Sequence, residues 1–133
     1  MQLERVTINA DGASRGNPGP AAIGATIKDE QGILVARISQ RIGHATNNQA
    51  EYRAAIVALK QAIKMGAKKV DINLDSQLVV RQVNGRYRVK NQALKSLFQE
   101  VKQLTGQLEA FTINHVPRDQ NSEADRLANM ALG

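Results

Sequence analysis

Val6-Thr7-Ile8-Asn9-Ala10-Asp11-Gly12-Ala13-Ser14-Arg15-Gly16-Asn17-Pro18-Gly19-Pro20 is the stretch on which the fold turns. Residues 6–10 are β-branched and apolar, the pattern of a strand in a sheet. Residues 11–20 are dense in Gly, Pro, Asn and Ser, which predicts a long turn-rich loop. An acid, Asp11, is therefore expected at the carboxyl end of the first strand.

Outward from there, residues 23–28 and 34–41 read as two more strands, joined by a turn at Asp29-Glu30-Gln31-Gly32. Strands one to three are expected to form an antiparallel meander. A long helix is predicted over about 48–65, opened by Thr46-Asn47-Asn48 and stopped at Gly66. Residues 70–74 give a short apolar strand and 76–84 a short helix. A second long helix over 92–104 carries Leu94, Leu97, Phe98, Val101 and Leu104 on one stripe. Residues 111–116 give the last strand. A final helix over 122–132 turns Ala124, Leu127, Ala128 and Ala131 inward. The order β-β-β-α-β-α-α-β-α predicts an α/β protein with helices on a mixed sheet, its last two strands reached by crossovers. One domain over residues 1–133 is expected.

Composition narrows the function classes. Apolar residues make up 42% but aromatics only 3%, with no Trp, so the core must be built from Ile, Val, Leu and Ala. With no Cys, a disulfide framework and a thiolate metal site are both excluded. No stretch approaches a membrane span, and a cytoplasmic monomer is the expectation. The net charge of +6 favours a polyanionic partner. Residues 81–105 concentrate it: Arg81, Arg86, Arg88, Lys90, Lys95 and Lys102 stand against one acid, Glu100. A solvated basic face is the plainer account of the same run.

Four acids fall on four separate elements. Asp11 and Asp75 end predicted strands, at the sheet edge where open α/β sheets build their sites. Glu51 opens the long helix above Ala55, Ala58 and Ala62, an alanine stripe that marks close packing on the sheet. Asp125 lies one turn into the last helix. Each acid also has a structural reading: Asp75 as a helix cap, Ser122–Asp125 and Asn48–Glu51 as capping boxes, Asp11-Gly12 as a turn pair. A convergent carboxylate cluster repels itself without cations, so it calls for bound metal. Oxygen ligands without Cys or a His cluster point to Mg²⁺ or Mn²⁺ rather than zinc.

The segments 7–20, Thr46-Asn47-Asn48-Gln49-Ala50-Glu51-Tyr52, Leu74-Asp75-Ser76-Gln77 and Asn121-Ser122-Glu123-Ala124-Asp125 resemble, in order, the four signature blocks of type 1 ribonuclease H. The resemblance covers the whole chain. It implies a three-layer fold with a five-stranded mixed sheet, strands 4 and 5 parallel to strand 1. It also implies hydrolysis of the RNA strand of RNA–DNA hybrids to 5′-phosphate and 3′-hydroxyl ends. Asp11, Glu51, Asp75 and Asp125 match the four catalytic, metal-binding positions. By that resemblance Asp11 bridges two Mg²⁺ ions, with Glu51 and Asp75 on one and Asp125 on the other, and Mn²⁺ as a substitute. Gly12, Ser14, Asn17, Asn47 and Asn48 match positions that touch the hybrid's minor groove. Thr46 and Asn91 match positions that hold a DNA-strand phosphate.

Two features depart from many members. The basic, Trp-containing protrusion is replaced by the short connection Asn84-Gly85-Arg86-Tyr87-Arg88-Val89-Lys90-Asn91, as in compact members. Arg86, Arg88 and Lys90 alternate along it and become candidate backbone contacts if it is extended. The loop ahead of Asp125, Pro117-Arg118-Asp119-Gln120-Asn121, has no His. Arg118 is the candidate for that cationic role, His44 a candidate phosphate contact, and His115 is read as a structural strand residue. Other readings are a non-cleaving nucleic-acid-binding module of the same fold, or a nuclease that also cuts double-stranded RNA.

Overall fold

The structure is a computed structural model and describes residues 3–133. Its elements are β1 (Arg5–Ser14), β2 (Gly19–Lys28), β3 (Leu34–Ala45), α1 (Asn47–Lys64), β4 (Lys69–Leu74), α2 (Gln77–Val83), α3 (Gln92–Thr105), β5 (Ala110–His115) and α4 (Ser122–Leu132). A single 3₁₀ turn, Arg118–Gln120, precedes α4. The sheet order is β3-β2-β1-β4-β5. β1, β2 and β3 are antiparallel neighbours, while β4 and β5 run parallel to β1.

Helices cover both faces of this sheet. In β1, Val6, Ile8 and Ala10 are buried in the main core with Ala54, Ala55, Ala58, Leu59 and Ala62 of α1. α4 covers the opposite face, chiefly over β2. Residues 21–27 of β2 are consequently buried without a break, as expected for a strand covered on both sides. Two glycines set how closely the helices approach. A Cβ on Gly12 would lie 2.2 Å from the Ala50 carbonyl carbon, and one on Gly24 would lie 2.2 Å from the Ala124 carbonyl oxygen. At those two points helix backbone rests on strand backbone, which no larger residue permits. The alanine stripe of α1 extends the same close fit.

The predicted 11–20 loop is mostly strand. β1 continues to Ser14 and β2 starts at Gly19, with antiparallel pairing running out to Ser14↔Ala21. The turn residues lie inside a ladder because that ladder satisfies their backbone groups. Asp11 is thus mid-strand towards β2. Towards β4, however, pairing stops at Asn9↔Asn73. Ala10 to Ser14 project past the end of β4, and that free edge opens the site. β3 also outruns its prediction, reaching Ala45, with Ile42 bulged between Arg41 and Gly43.

Candidate active site

Asp11 comes from the free edge of β1, Glu51 from the first turns of α1, Asp75 from the bend after β4 and Asp125 from the first turn of α4. All four line one cavity of about 530 Å³, together with Ser76, Arg118 and Asn129. Asp11, Glu51 and Asp75 each present an oxygen within 4.8 Å of the other two. Asp125 lies outside that tight set. Its Oδ1 is 3.7 Å from Nη2 of Arg118 and accepts from Nδ2 of Asn129 at 3.3 Å.

The capping readings fail on geometry. Thr46 caps α1, accepting from Gln49 N while Gln49 bonds back to the Thr46 backbone. Ser76, not Asp75, caps α2 by accepting from Val79 N. No side chain caps α4. Its N-cap residue, Asn121, is 1% exposed and sends its amide across to the Ala10 carbonyl at 2.8 Å. Asn121 Oδ1 accepts from Asn9 Nδ2 at 3.1 Å, and its backbone carbonyl accepts from Asp125 N at 3.1 Å. The start of α4 is therefore bolted to the β1 residues that flank Asp11.

Burial makes this cluster unusual. Asp11 is 5% exposed and Glu51 7%. Desolvation, then the neighbouring Glu51 carboxylate, raises the Asp11 pKa far above the ordinary range. Glu51 is pushed up to about 7, since desolvation outweighs the neighbouring Asp11 carboxyl and the Gly12 amide, which favour its charge. One Glu51 oxygen, Oε1, accepts from Gly12 N at 2.6 Å. The other, Oε2, is buried without any hydrogen-bond partner. An orphaned carboxylate oxygen on a residue clustered with two other acids needs either a proton or a cation. The donor set is all oxygen, which suits a hard divalent ion.

The chain matches the reverse transcriptase-like family model over residues 9–131. It is 45% identical to the bifunctional protein Rv2228c of Mycobacterium tuberculosis over 96% of its own length and 35% of that protein's. It is 44% identical to the ribonuclease HI of Halobacterium salinarum, over 96% of this chain and 64% of that one. The solved H. salinarum RNase H1 superposes with a TM-score of 0.94, covering 96% of this chain and 97% of the other. The chain belongs to the type 1 ribonuclease H family. A further family member from compost, LC11-RNase H1, 40% identical with a TM-score of 0.90 over 95% of both chains, was solved in complex with an RNA/DNA hybrid. The chain thus spans about a third of its mycobacterial relatives' length.

Among the residues picked out by resemblance to ribonuclease H, Gly12, Ser14, Asn47 and Asn48 line the acidic cavity. Asn17 does not; its Oδ1 accepts from Asn47 N at 3.0 Å and ties the β1–β2 turn to α1. Thr46 and Asn91 are the N-caps of α1 and α3. Between those two helix starts lies a pocket of about 250 Å³ that includes His44, Gln49 and Arg53. The 84–91 connection is not uniformly extended. Arg86 N and Tyr87 N both turn back to the Arg81 carbonyl, and Arg86 lines a groove against β5 whose lining includes neither Arg88 nor Lys90. Lys102 of the same basic run donates to Val83 O at 2.8 Å, which turns its ammonium towards the end of α2. His115 is exposed at the end of β5 rather than packed in the strand. Sequence reading missed Asn129, although it stands at i+4 from Asp125.

Proposed function

We propose that the chain is a metal-dependent endonuclease that hydrolyses the RNA strand of RNA–DNA hybrids to 5′-phosphate and 3′-hydroxyl ends. The observation that carries this reading is the convergence of Asp11, Glu51 and Asp75 within 4.8 Å, with Glu51 Oε2 buried and unpartnered. Membership of the family and the hybrid-bound relative support it further.

Asp11, Glu51, Asp75 and Asp125 would hold Mg²⁺, with Mn²⁺ as a substitute. When bound, a pair of such ions lowers the pKa of the attacking water and stabilises the leaving 3′-oxygen. The protein's own part is positional. Gly12 N fixes the Glu51 carboxylate, and Asn121 fixes the start of the helix that carries Asp125. Asn47 and Asn48, beside the acids, carry short amides that can both donate to and accept from a ribose 2′-hydroxyl. Residues 1–133 act as one catalytic unit and as a monomer in this reading.

The test is cleavage of labelled hybrid, double-stranded RNA, double-stranded DNA and single strands in Mg²⁺, Mn²⁺ or EDTA. The hybrid's RNA strand is cut in either metal and left whole in EDTA, and replacing a run of riboses by deoxyriboses silences the sites inside it. Cutting of DNA duplex at an equal rate rules out 2′-hydroxyl reading. Equal cutting of double-stranded RNA widens the substrate class, and tight binding without any cleavage identifies a non-cleaving module.

A further inference from the structure

A second groove, of about 220 Å³, runs between α2 and β5. Gln77, Arg81, Asn84, Arg86, Asn114 and His115 supply its polar lining, and no carboxylate lines it. Among the described residues neither Arg81 nor Arg86 takes part in an ion pair, unlike Arg5, Arg118 and Arg126. Glu100, the one acid of the 81–105 run, is engaged by Lys60 at 2.9 Å.

Hydrogen bonds tie the groove's walls together. Arg81 donates to Tyr87 Oη at 2.5 Å and lies 5.3 Å from that ring's centroid. Tyr87 orients the guanidinium without neutralising it. The turn that returns Arg86 N to Arg81 O at 2.8 Å brings Arg86 back to the groove that Arg81 lines. Asn84 Nδ2 donates to Ile113 O at 3.2 Å and fixes α2 to β5, so the two walls hold their spacing. Two guanidiniums without acidic partners, one of them oriented by Tyr87, suit the oxygens of a phosphodiester.

Position says which strand is held. Asp75 and Ser76 line the acidic cavity, and Gln77, the next residue, lines the groove. From Gln77 to Arg81 is about 6 Å of helix rise. A strand advances about 3.4 Å along its axis per nucleotide, and further along its backbone, so that rise is on the order of one to two linkages. We propose that the α2–β5 groove is a second phosphodiester site, which grips the strand being cut within one to two nucleotides of the scissile linkage. The identity of that strand as RNA rests on the hydrolase reading above.

The test uses binding, measured with Ca²⁺ in place of Mg²⁺, to hybrids carrying single neutral methylphosphonate linkages. In the unmodified protein, neutralising an RNA-strand linkage one to two nucleotides from the cut weakens binding severalfold. In the double variant Arg81→Ala/Arg86→Ala the same linkage has no further effect, as coupled partners require. That variant also lowers the log–log salt slope by about one to two, and Arg81→Lys/Arg86→Lys restores the slope. An unchanged slope, undiminished sensitivity in the alanine variant, or interference from the DNA strand alone overturns the proposal. If the unmodified protein leaves RNA uncut in Mg²⁺ while the interference pattern persists, the hydrolase reading fails and the groove stands.

Discussion

Gly12 and Glu51 fit each other at a single point: the Gly12 amide donates to Glu51 Oε1 at 2.6 Å, and a Cβ on Gly12 would lie 2.5 Å from Glu51 N. The strand can hold the buried carboxylate only because the residue beside Asp11 has no side chain. Gly12→Ala should therefore push α1 off the sheet. The expected loss is about 1–3 kcal/mol of stability, as for other overpacked sites, with loss of cleavage. Urea unfolding and hybrid cleavage measure the two effects, and unmodified stability with full activity would show that α1 can shift freely.

The acids are expected to oppose folding in the absence of metal. Asp11→Asn or Asp75→Asn should abolish cleavage while leaving the metal-free fold as stable as before, or slightly more so, because repulsion is relieved. Added Mn²⁺ should raise the melting temperature of the unmodified protein and do so much less for either variant. A large loss of stability with activity retained would return these acids to a structural role.

The same burial fixes a pH dependence in chelator. Asp11 and Glu51 have folded-state pKa values above those of unfolded carboxylates, so between about pH 4 and 7 the folded state binds more protons than the unfolded one. Glu51's contribution is full below about pH 4 and is lost as pH rises through about 7, while Asp11, raised further still, loses its contribution only at higher pH. Asp71 works in the opposite direction: Arg5 and Thr112 hold its pKa down, and that contribution is lost at lower pH. Metal-free protein should thus be less stable at pH 8 than at pH 5.5, and Mg²⁺ at pH 8 should narrow the gap. Urea midpoints that rise steadily from pH 5.5 to 8 in EDTA would contradict the raised values.

The four acids and the order of elements were legible in sequence because each signature is local: a strand end, a helix start, an acid at a fixed offset. Nonlocal pairing was not. Nothing within residues 11–20 announces that Ser14 pairs with Ala21 and turns a loop into a ladder. Nor does Asn121 announce that its amide leaves its own helix for the Ala10 carbonyl. The alternation of Arg86, Arg88 and Lys90 suggested one face, and the turn at Gly85, where φ is +81°, broke it. Only the Asn121 partner lies beyond the reach of a sequence window; the other two are local turns whose backbone geometry the residue types left open.

Arg118 offers the cleanest separation of stability from catalysis. Its side chain is 79% exposed, and its guanidinium stands 3.7 Å from Asp125 at the mouth of the acidic cavity. An exposed pair at that distance contributes little to folding. A cation there can instead act on charge that develops during phosphodiester cleavage, or hold Asp125 in place. Arg118→Ala should shift the urea midpoint very little while lowering kcat by roughly tenfold or more, in the range seen when one electrostatic stabiliser is removed. Arg118→Lys should recover part of that loss if charge matters, and none if only the planar fork can serve. The two roles separate in a metal titration. If Arg118 serves mainly to hold Asp125, the alanine variant needs more Mn²⁺ for half-maximal thermal stabilisation. If it acts on the substrate, the Mn²⁺ requirement is unchanged and only kcat falls. Unchanged kcat in the alanine variant would leave Arg118 as a surface residue beside the site.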